Sequence, residues 1–406
     1  MAKARGALFR RPVYIVDGVR TPIGKFGRSL KDISAVDLAA ATIKGVIERV
    51  GVEGDNIDLV IMGHVIRAGT GMNTAKHAAL KAGLPEDIEG YNVNMVCASG
   101  MASIIEAAMA IEMGAADIII AGGMESMSTA PFLAPPSIRW GVKLIYKGAM
   151  EVRDSMVYDG LYDPINMMVM GEEADETAWE YKAPREDLDA IAYESHMRSA
   201  KAWDSGFMQK FVIPVVKGGR IVLDYDEGVR RDTTIEALSR LPPAFTTKGP
   251  HTAGNSSQLS DGAVSLLVAS ENAVRELGLK PKARILGWAV AGVNPRRFPV
   301  APIPAVKKLL SLLGWRVGDV DYWENNEAFA INSYIFNKEL KVPYDKLNVA
   351  GGSIGVGHPL GSTGARLVLH LAYILEDRQA KRGIASICHG LGGAAAIALE
   401  RVETKI

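Results

Sequence analysis

Gly51-Val-Glu-Gly-Asp-Asn-Ile-Asp58 has a counterpart far down the chain in Gly314-Trp-Arg-Val-Gly-Asp-Val-Asp321. Each opens on glycine and closes on a β-branched residue and aspartate. What surrounds them also repeats. Ala35–Val50, before the first, carries Leu38, Ile43, Val46, Ile47 and Val50 at the spacing of one helical face. A helix over Ala305–Leu313 precedes the second. A strand-loop-helix follows in each part, bearing Cys97 in one and His358 in the other. A last strand then ends in glycine, at Ala121-Gly-Gly123 and at Cys388-His-Gly390. The reading is two copies of one α/β unit. The strands Ile57–Met62 and Asp117–Ala121 are continuously apolar, which predicts a parallel sheet covered on both faces. Between the copies, from about Thr129 to Lys248, the alternation breaks into Met-rich and Pro-rich stretches with an acidic helix near Arg185–Ser199. So long a segment predicts an inserted subdomain rather than a bare loop.

Composition narrows the function. The chain has 406 residues and is 48% hydrophobic and 23% charged, the balance of a globular protein. Lys plus Arg equals Asp plus Glu at 46 each, so nothing asks for nucleic acid or an anionic membrane as partner. No apolar run reaches the roughly 18 to 20 residues of a membrane helix. The basic start Met1–Arg11 lacks the apolar core of a secretory signal, and the two cysteines form no disulfide framework. The expectation is a cytoplasmic protein with free thiols.

Both cysteines fall in motifs that carry chemistry. Cys97 stands between a short strand and Ala98, Ser99 and Gly100, which open a helix. The positive helix end there favours thiolate, and small neighbours leave room for an acyl group. His358 lies in the glycine-rich Gly352–Gly364 stretch, where backbone can approach a ligand closely and an imidazole can move a thiol's proton. Cys388 precedes Gly390, whose N–H can serve as an oxyanion donor. His389, adjacent on an extended segment, points to the opposite side. Asn326-Glu-Ala-Phe-Ala330 offers a strand end that can fix a water or hold an imidazole. Two thiols and one imidazole can hold an acyl group on sulfur while moving a proton on carbon. Three look-alikes fail. Gly351-Gly-Ser353-Ile-Gly355 matches a nucleophile elbow, but Gly357 and Pro359 argue against the helix it needs. Gly18 to Lys25 has the wrong spacing for a phosphate loop, and Gly355–Gly361 is not a dinucleotide fingerprint. No pair shows metal-ligand spacing.

Taken in order, Arg20-Thr-Pro-Ile-Gly-Lys-Phe-Gly27, Gly123-Met-Glu-Ser-Met127, Thr252-Ala-Gly-Asn-Ser-Ser257, Asn326-Glu-Ala-Phe329, Gly357-His-Pro-Leu-Gly361 and the C-x-G-x-G of Cys388–Gly392 resemble the thiolase family over essentially the whole chain. The resemblance implies the thiolase fold, with two duplicated α/β halves in a layered αβαβα core and an inserted loop domain. The halves would divide as residues 1–128, a loop domain 129–250 on the coenzyme A side, a return 251–282, and a C-terminal half 283–406. It implies reversible condensation of two acetyl-CoA to acetoacetyl-CoA and CoA, or thiolysis of a 3-oxoacyl-CoA. Cys97 would be the nucleophile. His358 would activate it and, with a water on Asn326, form one oxyanion hole; the N–H groups of Cys97 and Gly390 would form the other. Cys388 would move the α-proton. Arg230, Ser257, Met170, Ala328 and Phe329 would contact the coenzyme A thioester. No permanently bound cofactor and no metal are implied, and a homodimer or homotetramer is. Three positions depart from the acetoacetyl-type pattern: Val169 for a histidine, Phe298 for a methionine, and Pro242 for an arginine. All fall on the substrate side. Two other readings compete. A decarboxylating 3-oxoacyl synthase on the same fold typically carries His or Asn in place of Cys388. A non-catalytic acyl-CoA-binding scaffold does not need the Cys/His/Cys set.

Overall fold

The computed structural model describes residues 2–141 and 151–403. Met1, the 142–150 part of the middle segment and residues 404–406 lie outside the described residues. Among the described residues the core is one ten-stranded sheet. Its strands are β1 (Lys3–Arg20), β2 (Leu59–Gly63), β3 (Glu89–Val93), β4 (Ile118–Ser126), β5 (Ser260–Ser270), β6 (Ala283–Gly292), β7 (Tyr322–Asn325), β8 (Arg382–His389) and β9 (Gly393–Arg401), with the short Gly24–Lys25 pairing on β5. They lie in the order β7-β8-β9-β6-β1-β5-β4-β2-β3. β1 is the seam. Its Val13–Arg20 part pairs with β5, and its Lys3–Leu8 and Val13–Ile15 parts pair with β6.

The duplication is visible in the pairing. β2 runs parallel to β4 in the first half, and β7 runs parallel to β8 in the second. β2 also pairs in parallel with β3, and in the second half only the bridge Trp323–Leu347 stands at the matching place. The expected all-parallel sheet is therefore corrected to a mixed one: β1, β4, β5, β6, β8 and β9 meet antiparallel. Apolar continuity reports burial on two faces whatever the strand direction. Along β4, Ile119 and Ala121 face one cluster while Ile118 and Ile120 face another. Along β9, Ala395 and Ile397 face the first cluster while Ala394 and Ala396 face a third.

Those three clusters separate five layers. The helices α1 (Ala35–Val50) and α2 (Thr74–Lys81) cover the outside of the first half. α6 (Pro302–Leu313) and α7 (Ala330–Leu340) cover the second. Between the two halves of the sheet lie α3 (Ser99–Glu112) and α8 (Leu360–Asp377), packed against each other. α1 keeps the predicted bounds; its apolar stripe is capped by Ser34, whose side chain accepts from Asp37 N–H, and Gly51 closes it at φ 75°. Gly122-Gly123 does not end β4, which runs on to Ser126. The middle segment adds α4 (Met170–Glu180), α5 (Arg185–Asp204) and short hairpins. It is pinned to the core by Asp226, which accepts from both ends of the buried Arg20 guanidinium at 2.6 and 2.7 Å and from Trp203 Nε1 at 3.0 Å.

Candidate active site

Cys97 sits in a tight turn between β3 and α3. Ser99 closes that turn: its Oγ accepts from Met95 N–H at 2.8 Å and donates to Val96 C=O at 2.6 Å. Val96 is held at φ 47°, which a β-branched residue adopts only under constraint. The small residues after Cys97 serve packing rather than ligand space. A Cβ on Gly100 would lie 2.8 Å from Gly361 O and Ala365 N, and one on Gly364 2.4 Å from Met101 N. Where α3 crosses α8, missing side chains let the two backbones touch. That contact carries the Cys97 turn and the His358 loop to the same place.

There they line one cavity of about 620 Å³. Its walls hold Cys97, His358 and Gly390, together with Met170, Ser257, Ala328, Phe329 and Arg230, all singled out from sequence. The Gly390 N–H is directed at the Cys97 sulfur. Cys388, at the end of β8, lies behind this wall, close enough for its charge to interact with Cys97, and its sulfur accepts from Asn332 Nδ2 at 3.3 Å. Asn326, fully buried after β7, places Nδ2 3.4 Å from His358 Nε2. His389 bonds its own neighbour, Gly390 O, and is absent from the cavity wall. Of the three departures expected on the substrate side, Val169 and Phe298 line the wall and Pro242 does not.

The protonation states follow from burial. Thr363 Oγ1 donates to Pro359 C=O at 2.9 Å, so at 2.7 Å it accepts from His358 Nδ1–H. That leaves Nε2 with a free lone pair toward Asn326. Burial, and then the charge of Arg366, lower the His358 pKa to about 3. The imidazole is neutral at rest. Burial raises the Cys97 thiol to about 12, against the smaller lowering by its own and the Gly390 N–H. The helix end does not deliver a resting thiolate: desolvation outweighs it. Burial, and then Cys97, raise the Cys388 thiol as well.

Several wall residues escaped the sequence reading. Lys25 stands beside Arg230; burial and then Arg230 lower its pKa, the mark of clustered cations. Its position inside Arg20–Gly27 was the available signal. Ser256 is buried with its Oγ unpartnered among the described residues, next to the predicted Ser257. Asn332 and Thr363 announce themselves only in three dimensions. Phe245 and Phe298 each pack edge-on to Phe329 at 5.6 and 6.1 Å, building an aromatic wall.

Known proteins share this fold. Residues 13–272 match the thiolase N-terminal domain and residues 279–401 the thiolase C-terminal domain. The chain is 46% identical to an acetyl-CoA acetyltransferase of Synechocystis over 97% of this chain and all (100%) of that protein. It is 43% identical to a probable acetyl-CoA acyltransferase of Staphylococcus aureus over 96% of this chain and 99% of that one. The crystal structure of the Bacillus anthracis acetyl-CoA acetyltransferase superposes with a TM-score of 0.93 at 40% identity, covering 97% of this chain and 99% of that one. Acat5 thiolase from Ascaris suum, solved in complex with coenzyme A, gives 0.90 at 39% identity, covering 97% and 100%. With both family domains matched in order across nearly its whole length, the chain belongs to the thiolase family.

Proposed function

We propose that the protein is an acetyl-CoA C-acetyltransferase, joining two acetyl-CoA into acetoacetyl-CoA and CoA and running the reverse thiolysis. The observation that carries this is the convergence of Cys97, His358 and Gly390 on one cavity, with the buried Cys388 thiol close enough to interact with Cys97. His358 Nε2 takes the Cys97 proton as the sulfur attacks the first thioester carbonyl. The carbonyl oxygen collects its charge at the Cys97 and Gly390 N–H groups, each donor contributing about 3 kcal/mol. The C–S bond to coenzyme A breaks, the leaving thiolate takes the Cys388 proton, and acetyl remains on Cys97. The Cys388 thiolate then removes a methyl proton from the second acetyl-CoA. Its enolate oxygen is held by His358 and a water on Asn326, its carbon attacks acetyl-Cys97, and the departing Cys97 sulfur recovers the proton from His358. A cationic His358 is costly in so buried a site, so its charge exists only while thiolate or oxyanion is beside it.

Ser257 bonds the pantetheine arm while Met170, Ala328 and Phe329 flank it, and Arg230 with Lys25 meets the phosphates. Residues 129–250 form the loop domain on that side, inserted between 1–128 and 251–282, with 283–406 as the second half. Coenzyme A thioesters are substrates rather than resident cofactors. The enzyme acts in the cytoplasm as a homodimer or homotetramer, in keeping with two free cysteines and the absence, among the described residues, of a helix long and apolar enough to cross a membrane. Cys388 and the family match do not favour a decarboxylating synthase or a scaffold. Purified protein given acetoacetyl-CoA and CoA should bleach the enolate absorbance and form acetyl-CoA; no turnover of any 3-oxoacyl-CoA would end this reading.

A further inference from the structure

We propose that Ser353 and Arg366 are positioning residues, a buried relay that turns the Asn326 carboxamide so that its N–H donor faces the reacting groups. The inference rests on the role of Asn326 given above. Gly351-Gly-Ser353-Ile-Gly355, the stretch that mimics a nucleophile elbow, does form one helical turn, Ser353–Val356, but its serine is fully buried and its hydroxyl is engaged. Arg366 Nη2 donates to Ser353 Oγ at 2.9 Å, and Ser353 Oγ donates to Asn326 Oδ1 at 2.6 Å.

The direction of this chain is forced. A guanidinium can only donate, so Ser353 must accept there and spend its one proton on Asn326. The atom that receives it must be the carbonyl oxygen, and Nδ2 is left facing His358 Nε2. From the other end, Thr363 makes His358 Nδ1 the protonated nitrogen and Nε2 the acceptor. Two independent starting points assign the same orientation to one amide, which a single contact could not do. Arg366 is not simply the counter-ion of Glu324. Among the described residues neither Glu324 oxygen has a hydrogen-bond partner, nor do Arg366 Nε and Nη1. Its directed bond goes to Ser353. Arranged this way, the relay also polarises the amide toward stronger donation.

The test compares wild type, Ser353→Ala, Asn326→Ala and the double variant in thiolysis of acetoacetyl-CoA. Ser353→Ala should lower kcat about ten-fold or more, since a donor is misaimed, with KM within about two-fold. In the Asn326→Ala background the same change should cost nothing further, because its effect passes through the amide. An inert Ser353→Ala, or losses that multiply in the double variant, overturns the relay. An inert Asn326→Ala breaks the oxyanion role instead, so the two failures are distinct. For Arg366 the variant is Glu324→Gln with Arg366→Met, which leaves no lone buried charge. Arg366 acts on His358, Glu324 and Glu327 act on Arg366, and Cys97 shares the His358 cavity. Removing the positive charge eases protonation of His358, so the acidic limb of kcat/KM should move to higher pH. An unmoved limb overturns the part assigned to Arg366.

Discussion

At the scale of the residue, the two thiols are both buried and, in the proposed reaction, different in task. Cys97 touches the open cavity and the Gly390 N–H, whereas Cys388 lies behind with Asn332 on its sulfur. A buried thiol at about 12 is protected from adventitious oxidation and alkylation until His358 draws its proton. Removing either sulfur should therefore separate the half-reactions. Cys97→Ala should take no label from radioactive acetyl-CoA. Cys388→Ala should still become acetylated, yet lose condensation by about a thousand-fold or more, the scale seen when one member of a catalytic unit is deleted. Full turnover in either variant would refute the assignment. Both sulfurs and the imidazole stood out in the sequence because few residue types do such chemistry, and the fold brings Cys97 and His358 to one cavity. The resting state of Cys97 was not, because desolvation depends on what the rest of the chain lays over it.

Among the elements, the decisive contact is the crossing of α3 and α8. The glycines there looked like ligand-facing backbone. Gly100 and Gly364 instead face the backbone of the opposite helix, Gly361 faces the Met124 and Gly63 carbonyls, and Gly123 of β4 would place a Cβ 2.0 Å from Gly361 O. Gly390 lines the cavity, as Gly160 and Gly171 do, and a Cβ there would lie 3.3 Å from Met170 Sδ. Gly364→Ala should thus cost about 1 to 3 kcal/mol by overpacking and, by prising the Cys97 turn from the His358 loop, lower kcat as well. Thermal unfolding and kcat measured on the same preparation check this; wild-type values for both would show that the crossing can yield. The helices themselves were legible. α1 has a strict stripe, a serine cap and a glycine stop, and its bounds coincide with the expectation. α3 and α8 are buried on nearly every side, α8 with Arg366 and His370 among its buried residues, so an apolar stripe could not say what they face. Strand direction was hidden for the same reason, since sheets buried on both faces look alike whichever way their strands run.

The whole molecule carries a pH signature. Burial, and then the neighbouring Asp163 carboxylate, raise Glu173 to about 8; burial raises Glu324 to about 8 and Glu125 to about 7. A carboxyl raised in the folded state stabilises the fold fully below its unfolded value and loses that contribution as pH climbs through the folded one. The histidines oppose this. Burial lowers His64 and His196 to about 4 and His358 to about 3, so folding loses their contribution as pH falls below about 6.5. Stability should peak near pH 6 to 7 and decline toward pH 8 to 9. Glu173→Gln should flatten the alkaline decline in a Tm-against-pH series, and an unchanged slope would remove Glu173 from the account. One more consequence follows from the seam strand β1, whose hydrogen-bonding partners begin at Ser260 and Ala283. On the ribosome it emerges well before them and waits on the order of tens of seconds at ordinary elongation rates. Throughout that interval the nascent polypeptide displays two unsatisfied strand edges, and the architecture closes late, with an early-made segment captured by strands made more than two hundred residues after it.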